Sequence, residues 1–382
     1  MIKQEILVLI IGAGPAGLAT SACLNLKNIP NIVLEKEDCC ASLWKKRAYD
    51  RLKLHLAKQY CQLPGMPFPP DAPTFMPKRG FIRYLDDYVS HHNVAPLYNR
   101  QVECASFDDG KWTVVARNMV LDRYEEYVAA FLVVASGENG EAFVPQIPGL
   151  DSFSGDVMHS SDYRNGKKYE NRNVLVVGSG NSGMEIAFDL WDWGAQASIV
   201  ARSPVHILTE RMVQMGMALL KYVPLGIVDK ILIMLSKLKF GDLCDYGIQR
   251  PDKGPFYLKM TTGRSPVIDV GTIDKIRSQE IKVFQYIKSV DGHNVHFTDG
   301  STETFDSIVF ATGYKTTVAK WLKDDGALFS ANGMPEKRAP EHWKGKNGLY
   351  CAGFSRSGLF GISNDARAIA QDINELILSH EM

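Results

Sequence analysis

Two short, uninterrupted apolar runs organise the chain: Ile6-Leu7-Val8-Leu9-Ile10-Ile11 and Val174-Leu175-Val176-Val177. Each is rich in β-branched residues and has no polar alternation, which predicts a strand buried on both faces, as in a parallel sheet. Each stops at a glycine motif and opens a helical pattern. The first motif is Gly12-Ala13-Gly14-Pro15-Ala16-Gly17 and the second is Gly178-Ser179-Gly180-Asn181-Ser182-Gly183. Strand, Gly-x-Gly-x-x-Gly and helix in that order form a dinucleotide-binding fingerprint. The following strands are Asn31 to Leu34 and Ala197 to Val200.

Other periodicities fill in the frame. Phe81, Tyr84, Leu85 and Tyr88 recur at spacings of three and four and predict a helix over Lys78 to His91. Strands are expected over Val102 to Phe107, Trp112 to Ala116 and Phe131 to Ala135. The last of these runs into Ser136-Gly137-Glu138-Asn139, and a similar strand, Ser307 to Phe310, runs into Ala311-Thr312-Gly313-Tyr314. These two copies bracket the second fingerprint, as expected when one nucleotide domain is inserted into another. A final strand, Gly348 to Ala352, precedes a helix near Asn364 to Leu378. Between Glu37 and Pro77, six prolines exclude long regular elements. The expected fold class is α/β, with two Rossmann-like, doubly wound, three-layer dinucleotide-binding domains. An FAD domain over residues 1–152 plus 305–382 would enclose an NADPH domain over 153–304.

The strand ends separate the two nucleotides. Glu35 ends the first, and a carboxylate there suits an unphosphorylated ribose. Arg202 and Ser203 follow the second; an arginine there accommodates a 2′-phosphate with a forked pair of donors. His206 lies close by, with a structural role and a phosphate contact both open. The first glycine of each motif makes the tight turn, the second admits the pyrophosphate, and the third allows close helix–strand packing.

Composition adds exclusions. Apolar residues are 45% and charged residues 23%, ordinary for a globular chain. The formal net charge is zero, which argues against nucleic acid as a partner. The seven cysteines fit no zinc-ligand spacing and contain no C-x-x-C, and they suit a reducing compartment. No metal is expected. The apolar N-terminal run feeds directly into the fingerprint, so it is expected to be a strand and not a cleaved signal. The apolar segment Met212 to Leu238 is broken by Lys221, Pro224, Asp229, Lys230 and Lys237, too often for a membrane span. It remains open as core helices, a substrate lid or a membrane-surface element. The expected location is the cytoplasm, with peripheral association with the endoplasmic reticulum as an alternative; oligomeric state is not legible.

Between the fingerprints stands Phe153-x-Gly155-x-x-x-His159-x-x-x-Tyr163. In that position it resembles the identifying motif of the flavin-containing (class B) monooxygenases. Leu43-Trp44-Lys45, the run Tyr49 to Lys58, Gly137-Glu138-Asn139, Gly178 to Glu185 and Phe310 to Lys315 are similar to the plant YUCCA branch. The resemblance spans nearly the whole chain. The chain departs from that branch at Ala57, where proline is usual, and at Ser179, where relatives carry cysteine or alanine. The asparagine of animal-type members aligns with His55, and Gly353-Phe354 replaces the Gly-Asp of other two-dinucleotide flavoproteins.

The resemblance implies oxidative decarboxylation of indole-3-pyruvate to indole-3-acetic acid with FAD, NADPH and O₂, through a flavin C4a-(hydro)peroxide. Another α-keto acid is an alternative substrate. It also places Gly12 to Gly17, Glu35, Trp44, His55, Gly137 and Gly313 at FAD. Gly178 to Gly183, Arg202 and Ser203 fall at NADPH. No protein nucleophile is needed, and His55, Asn139 and Asn181 are the candidates nearest the chemistry. Alternative functions are an N- or S-oxygenating monooxygenase and a non-catalytic flavoprotein scaffold.

Overall fold

The computed structural model describes residues 2–323 and 327–380. The chain divides into two compact units. One comprises Met1–Lys46, Ala57–Glu141 and Tyr314–Met382; the other comprises Arg47–Leu56 and Ala142–Gly313.

In the first unit the strand Ile2–Ile11 pairs in parallel with Asn31–Leu34 on one side and Arg123–Val134 on the other. The far edge of Arg123–Val134 is shared. Its amino-terminal half pairs antiparallel with Lys111–Asn118, and its carboxyl end pairs in parallel with Leu349–Cys351. The sheet is therefore mixed, with its parallel part at the end carrying the fingerprint. The helix Pro15–Asn25 is buried along almost its whole length through Ala16, Ala19, Ala22 and neighbouring small residues, so it lies close on the sheet. Helix Lys78–His91 matches its predicted bounds and buries the four predicted aromatic and leucine positions. Two of these hold the proline-rich loop: the Tyr84 hydroxyl takes the Leu63 N–H and donates to the Met66 carbonyl, and Tyr88 donates to the Pro64 carbonyl.

The second unit has an all-parallel sheet in the order Lys282–Phe284, Gln196–Val200, Asn173–Val177, Ser307–Phe310, Asp156–His159. Its central strands bury every residue of Ser307–Phe310 and all but the first of Asn173–Val177. This moves a boundary. Ser307–Phe310, grouped by sequence with residues 305–382, lies inside the second sheet because it pairs on both edges there. Arg47–Leu56, grouped with residues 1–152, also belongs to the second unit, tied to helix Asn181–Asp192 by polar side chains.

Candidate active site

The two fingerprints fold alike within their own units. In the first, Gly12 has φ +108°, and a Cβ there would fall 2.6 Å from the Ala135 carbonyl oxygen. In the second, Gly178 has φ +120°, and its Cβ would fall 2.5 Å from the Ala311 carbonyl oxygen. Gly17 and Gly183 are also fixed by packing: a Cβ on either would lie 1.8 Å from the carbonyl oxygen of Gly12 or Gly178 respectively. The middle glycines differ in kind. A Cβ on Gly14 or Gly180 would meet nothing within 4 Å. Each begins a helix whose first amides receive no side-chain cap. Exposed amide donors, a helix dipole and open space above a glycine are the requirements for seating a pyrophosphate. The residues present therefore fit a dinucleotide at both places.

The two similar strand–glycine runs acquire a structural meaning. Phe131 to Gly137 and Ser307 to Gly313 are equivalent pieces, one in each unit, and each lays its alanine carbonyl against the first fingerprint glycine. Gly313, expected beside FAD, thus lies in the second unit. Its carbonyl accepts the Phe143 N–H at 3.0 Å and a bond from His159 Nε2, also at 3.0 Å. Gly137 holds the corresponding place in the first unit with φ +80° and open space before it. Asn139 is exposed just beyond it.

Glu35 is buried at the end of its strand. Its Oε2 accepts the Ala13 N–H at 2.7 Å and its Oε1 accepts the Glu37 N–H at 3.0 Å. Burial pushes its carboxyl above the ordinary carboxylate range, and those two N–H groups partly offset the rise. Each oxygen keeps a lone pair for a ribose hydroxyl. Trp44 meets the Phe81 ring edge-on at 4.6 Å, fixing the short turn Leu43–Arg47.

In the second unit a cleft of about 390 Å³ opens over Gly178, Ser179 and Gly180 and is flanked by Arg202, Ser203 and Arg264. The Arg202 guanidinium is exposed and sits 5.9 Å from the centre of the Tyr286 ring. His206 lines the cleft but is buried, with Nε2 2.7 Å from the Lys253 carbonyl. Burial lowers its pKa, so the ring is neutral and brings no charge to a phosphate. The Asn181 amide is occupied: Oδ1 accepts the Ile268 N–H at 2.7 Å and Nδ2 donates to the Pro266 carbonyl at 3.1 Å. It holds the loop that carries Arg264. Sequence reasoning missed Arg264 because its loop carries no motif. Ser182 is half-buried in the first turn of the same helix.

Two acids one turn apart on that helix, Glu185 and Asp189, are buried. Glu185 Oε1 lies 2.6 Å from His55 Nε2, and its Oε2 accepts the Tyr49 hydroxyl at 2.8 Å. Asp189 accepts the Tyr163 hydroxyl at 2.6 Å, the Gly166 N–H at 2.8 Å and Arg51 at 3.3 Å. His55, expected near FAD, is thus anchored to the second fingerprint helix. The sequence carries the corresponding signal as Glu185-x-x-x-Asp189, two acids on the inner face of a helix.

The run Phe153 to Tyr163 lies within the second unit. Phe153 packs on the core and meets His293 edge-on; Gly155 has no room for a Cβ, which would fall 2.3 Å from the Asp306 carbonyl oxygen. His159 accepts the Ser161 N–H at Nδ1, and burial keeps its pKa low. Tyr163 is the Asp189 partner.

The family described as flavin-binding monooxygenase-like matches residues 5–325. The chain belongs to that family. Probable indole-3-pyruvate monooxygenase YUCCA10 of Arabidopsis thaliana is 52% identical over 377 residues, covering 98% of each chain. Indole-3-pyruvate monooxygenase YUCCA1 of Oryza sativa subsp. japonica is 45% identical, covering 96% of this chain and 90% of its own. Among solved structures, a flavin-containing monooxygenase from Stenotrophomonas maltophilia has a TM-score of 0.73 at 19% identity, covering 98% of this chain and 99% of its own. That likeness bears out the α/β fold of two nucleotide-binding domains.

Proposed function

We propose that this flavin-binding monooxygenase uses FAD, NADPH and O₂ to convert indole-3-pyruvate into indole-3-acetic acid and CO₂. The observation that carries the reading is 52% identity across 98% of both chains with the relative named probable indole-3-pyruvate monooxygenase YUCCA10. When bound, the flavin accepts electrons from NADPH and activates O₂. The chain's own residues do the rest. The amides after Gly14 seat the FAD pyrophosphate, and Glu35 holds its ribose. The amides after Gly180 seat the NADPH pyrophosphate. Arg202 and Ser203, with Arg264 across the cleft, hold the 2′-phosphate. Asn181 keeps the Arg264 loop in place. Glu185, with Oε1 2.6 Å from His55 Nε2, fixes the orientation of that ring.

The test is anaerobic addition of NADPH to the purified yellow protein, then O₂ with indole-3-pyruvate. Bleaching by NADPH followed by substrate-dependent CO₂ release is the expected result. A flavin that NADPH cannot bleach overturns the NADPH assignment. Bleaching with product only from an amine or sulfide overturns the substrate assignment.

A further inference from the structure

The segment that sequence left open as core, lid or membrane surface resolves into helices Glu210–Leu219 and Leu225–Phe240. The second has two distinct faces. Inside, Val228 and Leu232 are fully buried with Leu208, Val213, Phe256 and Ile268. Polar bonds lock this face: Ser236 donates to the Ile207 carbonyl at 2.8 Å, and Asp229 accepts the Phe256 and Tyr257 N–H groups at 2.9 and 3.0 Å. Outside, Ile227, Met234 and Leu238 are 51%, 54% and 76% exposed. Their spacing puts them in one row along the helix. Tyr222, just ahead of the helix, is 86% exposed. Lys230 and Lys237 flank the row and Lys221 and Lys239 stand at its ends, all exposed. The helix's one acid, Asp229, is turned inward.

A helix face meant for water carries polar groups, and a row of bulky apolar side chains there marks a contact surface. On a chain of zero net charge, the four lysines make this face locally positive. We propose that it docks on the surface of an anionic phospholipid bilayer. Ile227, Met234 and Leu238 enter the interface with the helix in its plane, and the lysine stems follow the apolar row while their ammonium groups reach headgroup phosphates. Among the described residues no helix is long and apolar enough to cross a membrane, so this contact is superficial. A second copy of the chain is the competing occupant. Self-pairing across a two-fold axis sets the same patch, with its lysines, against itself, which charge repulsion opposes.

The experiment is co-sedimentation of the FAD-loaded full chain with vesicles of phosphatidylcholine alone or with about a third phosphatidylserine. The protein should pellet with the anionic vesicles and be released as salt rises from about 0.05 to about 0.5 M. Lys230→Glu and Lys237→Glu should each weaken binding at least about fivefold. Met234→Asp with Leu238→Asp should abolish binding while flavin content and turnover in solution stay unchanged. Wild-type protein left in the supernatant with anionic vesicles, or variants that pellet like wild type, overturns the proposal. So does a wild-type dimer in light scattering that the Leu238→Asp change converts to monomer.

Discussion

Glu185 Oε1 lies 2.6 Å from His55 Nε2, which joins the segment Arg47–Leu56 to the helix of the second fingerprint. The carboxylate is 2% exposed and uses its other oxygen for Tyr49. Removing it strands two polar partners. Glu185→Ala should therefore destabilise the second unit by about 2–4 kcal/mol. Glu185→Gln, which still accepts from Tyr49, should be milder. Thermal unfolding of the two variants measures this, and equal midpoints for both would contradict the account.

The glycines make a paired prediction. Gly14→Ala has room for its methyl in the protein and should fold, yet its purified form should lack the flavin spectrum, because the methyl occupies the pyrophosphate's place. Gly17→Ala drives its methyl into the Gly12 carbonyl and should fail to accumulate as folded protein. A Gly14→Ala protein with full flavin content would show that nothing sits over that glycine.

Arg202 is predicted to discriminate nicotinamides. Charge-assisted hydrogen bonds to a 2′-phosphate are worth about 1.5–3 kcal/mol. Arg202→Ala should therefore weaken NADPH by about ten- to a hundredfold. NADH use and flavin content should hardly change. The measurement is the rate of flavin reduction against cofactor concentration; equal losses for both cofactors would remove the phosphate role.

Acid sensitivity should come from His159 and His206, whose burial holds both below the ordinary value of 6.5. The unfolded chain protonates these rings below about 6.5, and the folded chain does so only at lower pH. Their contribution is thus complete above that value and is lost as pH falls through it toward the folded-state values. The unfolding midpoint should drop as pH falls below about 6.5, and His159→Gln with His206→Gln should flatten the slope. An unchanged slope in the double variant would assign the sensitivity elsewhere.

Both fingerprints, their strands and the helix over Lys78–His91 were legible because each rests on local pattern: an apolar run, a glycine turn, a spacing of three and four. The division between units was not, because Ser307–Phe310 reads the same in either sheet and only its partners decide. The resemblance named His55 and Gly313 as candidates beside FAD, but the unit each lies in depends on long-range contacts with Glu185 and His159. Arg264 left no signal, since the loop that carries it is held at Pro266 and Ile268 by the amide of Asn181, far away in the chain.

The most direct test of the central claim is turnover of indole-3-pyruvate under ¹⁸O₂ with NADPH, following the isotope in the acid product alongside CO₂ and NADPH. The account predicts one ¹⁸O atom in each indole-3-acetic acid, with one CO₂ released and one NADPH consumed per product. Indole-3-acetic acid free of ¹⁸O, or NADPH consumption that ends only in hydrogen peroxide whether or not the keto acid is present, would contradict it.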